Sequence, residues 1–270
     1  MSALAETAAP QPGARGRARW IGFQTIVIRE FHRIIRIWSQ TILPSAVTAT
    51  LYFVIFGSII GRRIGSMGGF DYMVFIAPGL IMQPVITNSY ANVVSSFFGA
   101  KFGKHIEELL VSPLPSWLIV SGYVAGGVVR GAMVGLAVTA VALFFTHLPV
   151  EHPLIVAGAA VLTSIMFSLG GFLNAMFAKN FDQVNIVPTF LLAPLIYLGG
   201  VFYPISHLPG WARHLSLADP ILYMVNALRF GFLGVSDVPV WVAFAIMVTA
   251  VTGLFTAAVV LMERGAGIRE

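Results

Sequence analysis

Charged residues fall in short clusters along this chain, and long stretches without Asp, Glu, Lys or Arg lie between them. Residues 37–61 form the first such stretch, with a helical core predicted at 38–60. The next, 72–98, holds Pro78 and Pro84. Then come 117–145, apolar except for Arg130, followed by 153–178, 183–202 and 240–262. A stretch of about 20 residues, at about 1.5 Å per residue, crosses about 30 Å of hydrocarbon. The pattern predicts an all-α membrane protein with six spans. The stretch from 183 runs on to Ala212, too long for one span, so its end is expected to be something other than a simple helix.

Residues 20–36 have a different pattern. At 100° per residue, Trp20, Ile21, Phe23, Val27, Ile28, Phe31, Ile34 and Ile35 share one half. Arg19, Arg29, Glu30, His32, Arg33 and Arg36 share the other, and only Gln24 and Ile26 fall out of place. This predicts an amphipathic interfacial helix in the headgroup plane, its arginines toward phosphates. A seventh span is excluded by those arginines. Residues 1–19, rich in Ala, Pro, Gly and Arg, read as a flexible cytoplasmic tail, and no apolar core of a signal peptide follows directly.

Composition supports the membrane reading. Of 270 residues, 57% are hydrophobic and 27 are charged (16 Lys and Arg, 11 Asp and Glu). A soluble domain of this length carries roughly 65–70 charges. A soluble enzyme and a disordered chain are both excluded, the second because disorder needs low hydrophobicity. The net charge of +5 is assigned to span flanks rather than to nucleic acid, since no basic patch interleaves with a polar fold. Six spans put both termini on one side, with Arg15, Arg17, Arg19, Arg29, Arg33, Arg36, Lys101, Lys104, Lys179, Arg264 and Arg269. The other side holds Arg62, Arg63, Arg213 and Arg229, so the positive-inside rule places both termini in the cytoplasm.

Catalytic patterns are missing from the sequence. A phosphate loop needs G-x-x-x-x-G-K-[ST]. The nearest text, Gly99 to His105, has three residues between its glycines and no hydroxyl after Lys104. The chain is therefore not expected to hydrolyse ATP by itself. No cysteine is present, no metal-ligand cluster stands out, and no His or Asp sits mid-span to serve an intramembrane protease.

Four features stand out instead. Lys101 to Pro115 contains a segment, 104–111, able to form two helical turns, with Lys104 at i,i+3 and i,i+4 from Glu107 and Glu108. Pro113 and Pro115 stop it. It is either a plain connector or a rigid charged helix for pressing on a soluble partner. The outer segment from Gly199 is too apolar for a solvated loop and too broken for a span, and predicts two short re-entrant helices. The third span carries Gly122, Gly126, Gly127, Gly131 and Gly135, a close-packing face. Arg130 lies in that face, either as a functional intramembrane charge or as a structural one bonded to carbonyls or to Asn174. Tyr197 is a further polar group on a span.

Two of these segments carry a family resemblance. Glu107-Glu108-Leu109-Leu110-Val-Ser-Pro113-Leu-Pro115 resembles the cytoplasmic coupling motif of ABC-2 type transporter permeases. Gly200-Val-Phe-Tyr203-Pro204-Ile, with Leu208-Pro209, Asp219-Pro220 and Asn226-Ala-Leu-Arg229, resembles the outer-loop signature of the same family. The likeness covers 20–262 and points to the YadH-like bacterial branch. One departure is Lys104-His105, where many relatives have Gly-Thr. The resemblance implies a homodimeric exporter subunit of the bacterial inner membrane for lipids, glycans or drugs. It also implies two copies of a separate ATPase subunit that bind ATP and Mg, with no cofactor in this chain. In it, 20–36 would be the interface helix, 101–113 the coupling helix and 200–230 the outer re-entrant helices, with Gly199 leading into them. Spans one and five would make the dimer contact. A secondary transporter or channel without an ATPase is the alternative.

Overall fold

The computed structural model describes residues 12–112, 114–205 and 208–267. Helix α1 is Pro12–Arg36. It begins eight residues before the stretch read as interfacial, so 12–19 is helical rather than a loose tail. Pro12 suits the first helical position, and the Ala and Arg residues after it are good helix formers. Helix α2, Trp38–Tyr52, continues through a π-type stretch, Phe53–Ile60, into Gly61–Ile64.

A small hairpin follows, which the all-α expectation lacked. Ser66–Met67 pairs antiparallel with Phe70–Asp71 around Gly68 and Gly69, whose φ values are +61° and +84°. Two left-handed residues in a row are what a tight two-residue hairpin turn requires, and Gly-Gly supplies them.

The remaining helices are α3 (Tyr72–Phe102), α4 (Ile106–Val111), α5 (Ser116–Phe145), α6 (Pro153–Phe177) and α7 (Phe181–Leu198, with a π-type stretch at Val187–Leu192). They are followed by α8 (Gly210–Ala218), α9 (Pro220–Leu233) and α10 (Val240–Glu263). The apolar stretch that ran on to Ala212 thus resolves into the end of α7, a connector and the start of α8.

Contacts between connecting segments define two ends of the bundle. At one end Gly22 lies under Leu114, and Gly267 lies against Met176. At that end too, Lys101 Nζ donates to the carbonyls of Met176 and Ala178, capping the C-terminus of α6. At the other end Tyr72 donates its hydroxyl proton to Phe202 O, and the amides of Glu151 and His152 donate to Phe232 O and Gly231 O. Helices α2, α3, α5, α6, α7 and α10 run alternately between these ends. Helix α3 is the centre, packed against α5, α6 and α9. Gly79 lets the connector after α7 close onto it, since a Cβ there would lie 2.6 Å from Val201 O.

Among the described residues, five helical stretches are long and apolar enough to cross a membrane: Trp38–Gly57, Ser116–Phe145, Pro153–Phe177, Phe181–Leu198 and Val240–Glu263. The sequence count of six included 72–98. Helix α3 has the length, but Gln83, Asn88 and Asn92 dilute its apolar character. Its position explains this: Ser89 and Asn92 are fully buried against neighbouring helices, where a polar side chain faces protein rather than lipid.

Candidate functional site

The glycine face of α5 lets three helices approach closely. A Cβ on Gly122 would lie 2.6 Å from Ile26 Cγ2, and one on Gly126 would lie 2.9 Å from Glu30 Cβ. Gly127 and Gly131 give the same closeness to Ser168 of α6 and to Ser89 of α3, and Gly135 to Val85. The step of four on α1 matches the step of four on α5, so the two helices pack along each other. Small residues allow such approach where lipid provides no hydrophobic drive.

This packing gives α1 a protein-facing stripe that the two-sided reading did not distinguish. The bundle-facing stripe is Gly22, Ile26, Glu30, Arg33 and Ile34, with Ile26, Glu30 and Ile34 buried. Of the apolar half, Trp20, Ile21, Ile28, Phe31 and Ile35 are exposed on the side away from the bundle. Ile26 is not out of place; it is the knob over Gly122. Glu30 does not face headgroups.

Glu30 and Arg33 form a polar joint between α1 and α3. Arg33 Nη2 donates to Glu30 Oε2 at 2.8 Å, to Asn92 Oδ1 at 2.8 Å and to Asn92 O at 3.0 Å. Arg33 Nη1 donates to Ser95 Oγ at 3.2 Å. The Ser96 hydroxyl donates to Glu30 Oε1. Arg29, half exposed, donates to the Tyr123 hydroxyl at 2.9 Å, while Arg36 is exposed. Arg130 lies one helical turn beyond Gly126 and reaches Asn88 Oδ1 at 3.4 Å. It does not meet Asn174, which donates instead to Tyr90 Oη at 2.6 Å and Val184 O at 3.0 Å, tying α6 to α3 and α7. Tyr197 is exposed on α7, stacked near Phe202.

The segment 199–237 closes the opposite end. Gly200 holds φ +71°, and its carbonyl accepts from Arg229 Nη2 at 2.7 Å. Gly199 has no room for a side chain against Ile221. Arg229 is 1% exposed, sits 4.1 Å over the Phe75 ring and lies 3.7 Å from Asp237 Oδ2. The Tyr203 hydroxyl donates to Tyr197 O at 2.7 Å, and Pro204 is buried. Asp219 caps α9, accepting from Ile221 N at 2.9 Å, with Pro220 in the first turn. Burial lifts the Asp219 carboxyl to about 6. Sequence reading singled out Arg229 and Gly200 separately; their pairing and the parts played by Phe75 and Asp237 had no local signal.

The segment between α3 and α5 contains α4, with Ile106 buried and Glu107 exposed. Lys104 is not part of this helix. It takes φ +60°, a left-handed turn residue, so the helical pairing with Glu107 is lost. Ser112 ends the helix in an extended conformation, ψ 149°, as a residue before proline prefers. Pro113 and the side chains of Glu108, Leu109 and Leu110 lie outside the described residues. Among the described residues, no group of three His, Asp or Glu is arranged to hold a metal ion.

Residues 21–233, nearly all of this architecture, match the sequence model of the ABC-2 type transporters. The chain belongs to that family. It is 52% identical to the inner membrane transport permease YadH of Escherichia coli K12, over 93% of this chain and 98% of that protein. It is also 24% identical to nodulation protein J of Rhizobium leguminosarum bv. viciae, over 72% of this chain and 75% of that one. Membership makes this chain a transport permease, the membrane subunit of its system. The matched region takes in the α1–α3–α5 seam, α4 and the cap at the opposite end through Leu233. This ABC-2 permease therefore carries its buried charges inside the family's common region, not in an appended part.

Proposed function

We propose that this ABC-2 permease is half of the membrane pathway of an ATP-driven exporter in the bacterial inner membrane. Two copies pair, and two copies of a separate ATPase subunit bind ATP and Mg and drive them. The six helices that alternate between the bundle ends each cross the bilayer, with both termini in the cytoplasm. The name of the Escherichia coli relative supports the inner membrane, and the charge bias of the connections supports the orientation. The dimer contact runs through α2 and α7, the first and fifth of these helices. The cargo is an amphipathic lipid-, glycan- or drug-like molecule.

The observation that carries this reading is α4. It is anchored by Ile106 between two long helices, exposes Glu107, and stands at the end where α1 begins and α10 ends. A short braced helix at that place transmits force from a partner without a flexible joint. Glu107 and Glu108 offer acceptors to basic groups on the ATPase, and Leu109 and Leu110 offer apolar surface.

The test is co-purification with an ABC ATPase subunit produced together with this permease, along with ATP hydrolysis in lipid. Glu107→Ala, Glu108→Ala and the double variant should weaken the complex or uncouple hydrolysis, while the bundle stays folded. Losing one partner of a buried charge pair costs about 2–5 kcal/mol. A double variant that binds and supports hydrolysis like the parent protein would reduce α4 to a connector. Cysteine at Ser66 should react with an impermeant reagent from outside, and cysteine at Ser112 should not; labelling at Ser112 in sealed cells would overturn the orientation.

A further inference from the structure

The seam between α1, α3 and α5 holds more positive charge than its own carboxylate can balance. Arg29, Arg33 and Arg130 lie along it, and Glu30, paired with Arg29 and Arg33, is its one acid among the described residues. Both Glu30 oxygens are already engaged, one by Arg33 and the other by the Ser96 hydroxyl. Arg130 is left with a single long hydrogen bond to Asn88.

The unpartnered atoms agree with the charge count. Arg33 Nε, Arg130 Nε, Asn92 Nδ2 and the Ser89 hydroxyl are buried without a hydrogen-bond partner. Each is a donor or able to be one. Ser89 and Asn92 are both 0% exposed. They form one strip: Asn92 Nδ2 lies beside Gly126, Ser89 beside Gly131, Arg130 sits between those glycines in the chain, and Arg33 holds the other side of the Asn92 amide. A buried donor without an acceptor is costly, and a row of them around two guanidinium groups is chemically short of an anion.

The surroundings point to the kind of anion. Ser95, which accepts from Arg33, also lines a groove of about 430 Å³ between α3 and α7, walled by Val94, Phe98, Phe181 and Leu192. The Arg33 side chain is 27% exposed and that of Arg29 50% exposed, so the seam opens at this edge. A charged head fits the donors, and an apolar tail fits the groove next to them.

We propose that this seam binds the phosphate of a phospholipid-like molecule. Arg33, Arg130 and Asn92 hold the phosphate, and the α3–α7 groove holds an acyl chain. The planar guanidinium fork matches phosphate oxygens in pairs, which lysine cannot do. The proposal does not rest on ATP-driven export, and its test needs no ATPase.

The test is native mass spectrometry of the full-length, delipidated permease in detergent. It is titrated with dioleoyl phosphatidylglycerol, with dioleoylglycerol, and with phosphatidylglycerol in the presence of inorganic phosphate. The parent protein should retain phosphatidylglycerol at least about tenfold better than the neutral diacylglycerol, the scale of one charge-assisted hydrogen bond. Arg130→Gln should remove that preference, and Arg130→Lys should keep part of it. Millimolar inorganic phosphate should not displace the lipid; displacement would assign the seam to a soluble anion and overturn the lipid proposal. Equal retention of the two lipids, or an Arg130→Gln protein that discriminates as well as the parent, would overturn it too. The comparison of the two lipids on the parent protein decides the matter even where the variant fails to fold. Failure here leaves the exporter reading intact, since that reading is judged by ATPase binding.

Discussion

The two buried charge clusters of this permease solve the same problem in different ways. In the cap formed by 199–205 and α9, Arg229 is enclosed completely, and its charge is met by a carbonyl, a ring face and Asp237, with Nε and Nη1 left without a hydrogen bond. In the seam, one carboxylate stands among two guanidinium groups, Arg33 and Arg130, which otherwise meet amide oxygens. Donors remain over in both clusters, but in the cap one cation faces one acid, and in the seam two face one. The cap charge is spent on closing the structure: it ties α9 to Gly200 and so holds 199–205 over α3. The seam charge exceeds what closure needs. A buried ion is costly in either place, so an excess calls for a use.

The comparison breaks first at Arg229. Arg229→Gln should leave Asp237 and Gly200 O without their cation and destabilise the protein by about 3–5 kcal/mol, as expected when one partner of a buried pair is removed. Arg130→Gln should cost less than about 1 kcal/mol, since it gives up one long bond. Thermal unfolding of both variants in detergent gives the ratio. Equal losses would mean that Arg130 closes structure as Arg229 does, and the distinction between the clusters would fall.

Glu30 should come next. Glu30→Ala removes the sole acid of the seam and leaves Arg33 held by Asn92 and Ser95 alone, at a cost of about 2–4 kcal/mol. The loss should be local: hydrogen exchange should rise along α1 from Ile26 to Arg36 while α6 and α9 stay protected. A uniform rise across the bundle would show that α1 is part of the global folding unit and not a separately docked helix.

How much of this was legible in the sequence divides along the same line. The long helices were, because a charge-free stretch bounded by charge clusters has few alternatives: α3 starts at Tyr72 and α6 at Pro153, where those stretches begin. The glycine face of α5 was legible as close packing. The face that α1 presents to the bundle was not, for a physical reason. Periodicity separates two environments but does not say which is lipid and which is protein. On α1 the apolar half is the outward one, and the protein contact runs along Ile26, Glu30 and Arg33. The Arg229–Gly200 pair was illegible because its members lie 29 residues apart and meet only through the fold. The hairpin at 66–71 had a local signal in Gly68-Gly69 that went unused.

A titration sharpens the cap side. Burial raises the Asp219 carboxyl to about 6 in the folded protein. A carboxyl whose folded pKa lies above its unfolded value favours the fold while it is protonated, and that contribution is lost as pH rises through about 6. Asp219→Asn keeps an acceptor for Ile221 N and removes the charge. Its melting temperature should match the parent near pH 4, exceed it increasingly as pH rises from 4 to about 6, and keep a constant lead above about pH 7. A gap that does not grow between pH 4 and 6 would show that Asp219 is not the titrating group.

The smallest expected effect lies outside both clusters, at Lys104. This is the one non-glycine residue with positive φ among the described residues, at +60°. A left-handed conformation costs an L-residue about 1–2 kcal/mol, because its Cβ crowds the following carbonyl. It is bound to the turn that follows α3: Lys104 N donates to Lys101 O at 3.1 Å, and Gly103 N donates to Gly99 O at 3.0 Å. The turn sets the direction in which α4 leaves the bundle. Lys104→Gly removes the strain but also frees the unfolded chain, so the net gain should be at most about 1 kcal/mol. Its value is in separating two contributions at α4. If Lys104 serves only as a turn residue, the glycine variant should unfold slightly later and bind the ATPase as well as the parent. If the ammonium group also touches the ATPase, stability should rise while binding weakens and grows less dependent on salt. A glycine variant that is less stable than the parent would show that the left-handed turn is not the conformation Lys104 holds in solution, and the departure of α4 from α3 would have to be redrawn.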